Sequence, residues 1–232
     1  MFKLLVVLIT LSFTVQAESV TKLRSAVSPQ YIDGLQHQFI NYISEKSKLD
    51  IEISFIPFAR RLEHLKQGKL DFMVGLSLRE DREPFIHFIE PSYYNNPNVL
   101  FVRNDSQLNL QNVSQLKSYK IGSIIRSKLF AEYDNSSQKI TVTTITQLIK
   151  MLSIGRIDGF IFNQYGGLSK VESMGYAKQI MVHPIDLPGD AREFIGISKK
   201  SSLYRDQQLL DEFKRIQKDY LRLRKSYYQQ KH

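Results

Sequence analysis

The sequence contains no cysteine. Disulfides, thiolate zinc sites, iron–sulfur clusters and an acylated N-terminal cysteine are therefore excluded, and a folded domain must rely on its core. The usual nucleotide and hydrolase fingerprints are missing as well: there is no P-loop, no dinucleotide-binding glycine motif and no Gly-x-Ser-x-Gly. Five histidines, His37, His64, His87, His183 and His232, are scattered without metal-ligand spacing. Neither a metal nor an organic cofactor is expected. Beyond residue 17 no apolar stretch is long enough to span a bilayer.

What is present begins with MFKLLVVLITLSFTVQA, residues 1–17. One lysine, an apolar run from Leu4 to Val15 and small residues at the end match a cleavable secretory signal, cut after Ala17. The remainder is ordinary folded-protein material, 42% hydrophobic and 24% charged, long enough for one large domain or two small lobes. The formal charge of +9 becomes +8 without the signal and is concentrated at the end. From Lys199 to His232 there are ten Lys/Arg against four Asp/Glu, a net +6. These basic residues fall between the apolar positions Leu209, Phe213, Ile216, Tyr220 and Leu223 of one helical stripe. That is the pattern of a solvated helix face rather than a nucleic-acid groove, with attraction to an acidic envelope surface as the alternative.

Periodicity orders the first half as strand 22–27, helix 33–48, strand 51–56, helix from Phe58 to Gly68, and strand 70–74. A second α/β run follows: strand 120–125, a helix start at 127–133, strand 140–144, helix 147–152 and strand 157–162. The two runs share a signature, Gly68-Lys69-Leu70-Asp71 and Gly155-Arg156-Ile157-Asp158, each placed between helix and strand. Phe194–Ser198 reads as a return strand, with the basic helix after it. Such βαβ order implies mainly parallel sheets flanked by helices, in two lobes of like design.

The block from Gly68 to Tyr93, GKLDFMVGLSLREDREPFIHFIEPSY, is the richest in chemistry. It reads as a strand, a glycine-containing loop, a short charged helical turn and an apolar run closed by Pro-Ser-Tyr. A hydroxyl, backbone N–H groups and an arginine at the carboxyl end of a strand make a grip for a small anion such as a carboxylate.

With Arg82, Phe88-Ile89-Glu90-Pro91-Ser92-Tyr93, Lys120-Ile121-Gly122 and Ser127 added to the twin signatures, the chain resembles the extracytoplasmic solute-binding proteins of family 3, the polar amino-acid binders of ATP-driven importers. The resemblance runs from Lys22 to about Tyr227. It implies the two-lobed periplasmic-binding-protein type II fold, with two crossing hinge strands and ligand capture by cleft closure. Residues 18–103 would begin lobe one, 104–190 would form lobe two, and 191–232 would return to pack on lobe one. It also implies a periplasmic, monomeric receptor for an amino acid or related organic acid, partnered by an inner-membrane permease or, alternatively, a sensor.

Carried over by position, Arg82 is the fork for the ligand's carboxylate, with Ser77 and the Gly75 backbone beside it in a loop one residue shorter than usual. A surface ion pair of Arg82 with Glu80, Asp81 or Glu83 is the plainer alternative. Ser127 corresponds to a hydroxyl at a helix start, and Tyr31 and Phe58 to aromatic residues that sandwich the ligand. Two positions depart from the family. Arg126 replaces a glycine and would narrow the cleft or add an anion contact. Asn163 replaces an aspartate that pairs with the ligand's ammonium, and an amide brings no countercharge. Arg60 and Arg61 add positive charge nearby, so the ligand is expected to be anionic. Some relatives of this fold are enzymes, with Glu90 or Glu193 as the candidate acid or base here; binding without catalysis is the expectation.

Overall fold

The structure is a computed structural model and describes residues 22–229. The expected signal segment lies outside the described residues. The chain runs β1 (Leu23–Val27), α1 (Leu35–Ser47), β2 (Ile51–Phe55), α2 (Phe58–Gln67), β3 (Phe72–Leu76), β4 (Ile86–Asn95) and β5 (Asn98–Arg103). A 3-10 turn at Val113–Ser118 precedes β6 (Ile121–Ile124), α3 (Ala131–Asp134), β7 (Ile140–Val142), α4 (Ile145–Ser153), β8 (Gly159–Asn163), α5 (Gln164–Ser173) and β9 (Ile180–Val182). The chain then returns through β10 (Arg192–Ser198), α6 (Ser202–Arg205) and α7 (Gln207–Gln229).

Strands β1 and β2 pair in parallel, as do β6 with β7 and β6 with β8. Every antiparallel pairing involves β5 or β10. These strands carry the chain out of the first set of elements and back, so each enters its sheet against the prevailing direction. The hinge itself is tied by pairing of Arg192 with Asn95 and Glu193 with Tyr94, and by the Asn96 N–H donating to the Ala191 carbonyl at 2.7 Å.

The apolar residues collect on two sides of this hinge. One core joins Phe39, Ile40 and Ile43 of α1 to Phe72, Ile195, Phe213 and Ile216, all fully buried. The other joins Phe101, Leu148, Ile149, Leu152 and Phe160, where the Phe101 and Phe160 rings stack 4.8 Å apart. Helix α7 buries Phe213 and Ile216 and leaves Lys214, Arg215, Lys218 and Arg222 exposed, as its stripe predicts. A buried polar side chain of this helix, Gln217, donates to the Ile89 carbonyl at 3.0 Å and so ties the helix to β4.

The twin signatures make the same local structure twice. Gly68 ends α2 with φ +78°, and Gly155 follows α4 with φ +71°, a region closed to most side chains. The next residues complete the cap: Lys69 N–H reaches the His64 carbonyl at 2.8 Å, and Arg156 N–H the Met151 carbonyl at 2.9 Å. Leu70 and Ile157 are buried beneath. Each aspartate then clasps the strand that opens its α/β run, β1 or β6. Asp71 exchanges backbone and carboxylate hydrogen bonds with Arg24, and Asp158 does so with Lys120, all at 2.7–2.9 Å.

The charged segment after β3 is a series of turns that includes the expected helical turn, with Glu83 N–H bonded to the Arg79 carbonyl at 3.2 Å and Ile86 N–H to the Arg82 carbonyl at 2.9 Å. Two local expectations differ. Ser127 does not begin a helix; α3 starts at Ala131 and has only four residues. Helix α5 was not anticipated, because its Gly166-Gly167 pair breaks the apolar periodicity, and β9 is too short to stand out in the sequence.

Candidate functional site

A cavity of about 440 Å³ lies between the two cores, within the range of small-molecule pockets. The N-terminal turns of four helices face it: Gly34 to Gln36 at α1, Pro57 and Phe58 at α2, Thr143 to Ile145 at α4, and Asn163 to Gly166 at α5. Helix N-termini present unpaired N–H groups and the positive end of the macrodipole, so four of them together favour a negative guest.

Arg82 lines this cavity and is only 5% exposed. The turns after β3 bring it there, with Arg82 N–H bonded to the Arg79 carbonyl and Ile86 N–H to the Arg82 carbonyl. Its Nη1 donates to the Ser77 carbonyl at 3.1 Å, and its guanidinium lies 5.7 Å from the Phe58 ring centroid. Among the described residues no carboxylate is within ion-pair distance of it. Asp81 is instead taken by Arg79 at 2.8 Å and Lys128 at 3.3 Å. Burial, then repulsion from Arg79, pushes the Arg82 guanidinium down to about 10, which leaves it charged at neutral pH.

Gly75, Ser77, Phe58, Tyr31, Ser127 and Asn163 also line the cavity. Gly75 sits at φ +77°, a left-handed conformation that favours glycine, and a Cβ there would displace the Gln36 amide. Tyr31 crosses the cleft, its hydroxyl donating to the Gly166 carbonyl at 3.0 Å. Thr146 and Gln30 hydrogen-bond across the same gap, and Arg79 Nη1 donates to the Lys128 carbonyl at 2.6 Å. The cleft is closed in this structure. Asn163 caps α5, its Oδ1 accepting from Gly166 N–H at 3.0 Å. Its oxygen is thus already engaged by the backbone.

Two expected contributors stand elsewhere. Arg126 is outside the cavity lining: with φ +64° it turns toward α2 and pairs with Glu63 at 3.2 Å, a carboxylate that satisfies it. Arg60 is exposed and also outside the lining, whereas Arg61, one step round the helix, is 5% exposed and inside it. Glu90 is exposed and outside the lining; Glu193 lines the cavity near the hinge and accepts from Tyr93 and Asn96. Sequence reasoning missed Thr143 and Thr144, although Thr144-Ile145-Thr146-Gln147 is a capping box that marks the start of α4.

The chain matches bacterial extracellular solute-binding proteins, family 3, over residues 24–229, and it belongs to that family. No curated protein matches its sequence. Among solved structures it is similar to the substrate-binding protein of an amino acid ABC transporter, with 17% identity, TM-score 0.74, and 90% of this chain and 96% of that one covered. A Streptococcus pneumoniae amino acid ABC transporter substrate-binding protein bound to L-arginine is 20% identical, with TM-score 0.72 and 85% and 88% covered. A histidine kinase sensor domain is 18% identical, with TM-score 0.72 and 90% and 92% covered. These likenesses establish the shared two-lobed α/β fold.

Proposed function

We propose that the chain is an exported receptor that closes over a small carboxylate-bearing solute and delivers it to an inner-membrane ABC permease. Residues 18–103 and 191–232 form one lobe and 104–190 the other, and the mature protein acts as a periplasmic monomer without catalysis. The observation that carries this reading is Arg82: a guanidinium buried at the cavity wall with no carboxylate in ion-pair contact among the described residues. An unpaired buried charge is costly, and a bidentate ligand carboxylate is the partner its planar fork fits. Four helix N-termini aimed at the same space support the same sign of ligand. Ser77, Ser127 and Asn163 supply neutral hydrogen bonds, and Tyr31 and Phe58 the apolar walls.

A thermal-shift screen of amino acids and organic acids tests the proposal, since a ligand bound only by the folded state raises the melting temperature. The proposal expects a stabilising carboxylate and loss of its effect in Arg82→Ala. Undiminished stabilisation of that variant would end the carboxylate-fork assignment, and turnover of a screened compound would replace binding by catalysis. Likeness to a kinase sensor domain favours one second reading, signalling through a separate membrane partner. Ligand-dependent ATP hydrolysis by a co-reconstituted permease supports import; ligand-dependent kinase output supports sensing.

A further inference from the structure

A second arginine shares the first one's predicament. Arg61 is 5% exposed, lines the same cavity, and lies 5.6 Å from the centroid of the same Phe58 ring. Its five donors are poorly used. Nη1 makes two long contacts, 3.4 Å to the Ala26 carbonyl and 3.5 Å to Gln36 Oε1, and buried Nε has no hydrogen-bond partner among the described residues. Good N–H···O bonds are shorter, at about 2.7–3.2 Å. No carboxylate pairs with it among the described residues, and burial pushes it down to about 10, still charged at neutral pH. Both guanidinium groups therefore border one small cavity, grouped about a single phenyl ring.

Carboxylates at the cavity wall do not cancel this charge. Asp190 is held by Arg192 at 2.7 Å, the Asp33 side chain is 95% exposed, and Glu193 stands at the hinge end with Tyr93 and Asn96. A single ligand carboxylate satisfies one arginine and leaves the other desolvated and unpaired.

We infer that Arg61 forms a second anion subsite and that the solute carries two acidic groups, one for each arginine. This rests on the carboxylate-binding reading of Arg82 and adds the ligand's charge to it. A short dicarboxylate and an acidic amino acid share this chemistry; they differ in an ammonium group, for which Asn163 provides no countercharge.

Calorimetric titration of the mature chain with two-acid and one-acid probes tests the inference. The probes are succinate, glutarate, adipate and L-glutamate against butyrate and L-glutamine. At least one two-acid probe is expected to bind at least about thirtyfold more tightly than its one-acid counterpart, and Arg61→Met to erase that preference while keeping one-acid binding. Arg61→Lys should retain part of it. Ligand-free Arg61→Met should melt at a higher temperature than the native protein, because it removes an uncompensated buried charge; a purely structural Arg61 would give the reverse. Equal affinity for one-acid probes in the native protein, or full two-acid affinity in Arg61→Met, overturns the second subsite. If Arg82→Ala abolishes binding while Arg61→Met keeps full two-acid affinity, the second subsite falls and the receptor reading stands. If no acid binds at all, both fall.

Discussion

The two lobes share a scaffold and divide the charge. Each ends its second helix on a left-handed glycine, buries the apolar residue two positions on, and clasps its first strand with an aspartate. The surfaces they turn to the cleft are unlike. The first presents two buried guanidiniums, Arg61 and Arg82, whereas the second presents Ser127, Thr143, Thr144 and Asn163 at its wall, with one cation, Lys128, already paired to Asp81 at 3.3 Å. A repeated motif therefore reports architecture, and selectivity resides in residues outside it.

The largest expected effect sets the two walls against each other. Arg82→Ala should cost ligand affinity about 2–5 kcal/mol, as for truncating one partner of a buried charged pair. Ser127→Ala, which loses at most a neutral hydrogen bond, should cost about 0.5–1.5 kcal/mol. Titration of both variants with the ligand found by screening measures the difference, and equal losses would remove the asymmetry.

The clasps come next. Asp71 is nearly buried and accepts from the Arg24 N–H and guanidinium and from the Ser201 hydroxyl, while Asp158 receives the Lys120 N–H at an exposed edge. Asp71→Ala should lower unfolding stability by about 2–4 kcal/mol and Asp158→Ala by about 1 kcal/mol. Denaturant titration decides whether the clasps differ as their burial does. Burial pushes the Asp71 carboxyl up, but hydrogen bonds from Arg24 and Ser201 and the Arg24 charge outweigh it and hold the group below its ordinary value. A depressed folded-state value means stability that is present above the unfolded value, about 3.9, and lost as pH falls through the lower folded one. Acid unfolding of Asp71→Asn should be correspondingly shallower below about pH 4.

Asn163→Asp tests the second lobe's wall directly. Aspartate caps a helix as well as asparagine does, so α5 should be retained. Its charge should raise affinity for zwitterionic amino acids by about tenfold and weaken binding of a pure dicarboxylate. Arg126→Gly should have the smallest effect. The Arg126–Glu63 pair is exposed, worth about 0–1 kcal/mol and screened by salt, and glycine relieves a left-handed backbone by a similar amount. Its melting temperature should change little; a large loss would make this contact a main closing force of the cleft.

Much of this was legible locally. Helix α1 follows from Leu35, Phe39, Ile40 and Ile43, and the stripe of α7 from Leu209, Phe213 and Ile216, because a 3.6-residue period is written in adjacent residues. Arg82 was marked out by its neighbours in sequence. Ser127 was misplaced because an extended stretch through Leu129 and Phe130 separates it from the four-residue α3, and four residues carry too few positions for a period to show. Arg60 and Arg61 were indistinguishable as a pair. One helical step, about 100°, sends the first to solvent and the second into the cavity, and only the direction of the packed helix fixes which.

The sequence by itself determined the α/β order, the paired lobes, the caps at Gly68 and Gly155 and the arginine worth watching, since caps, periods and turns are set by residues within a few positions of one another. Tertiary structure alone decided which charges are balanced. Arg126 finds Glu63 across the cleft, 63 positions away, while Arg61 and Arg82 find no carboxylate among the described residues. Whether a charge is neutralised by the protein or left for a ligand depends on contacts between segments far apart in the chain. No local pattern encodes them.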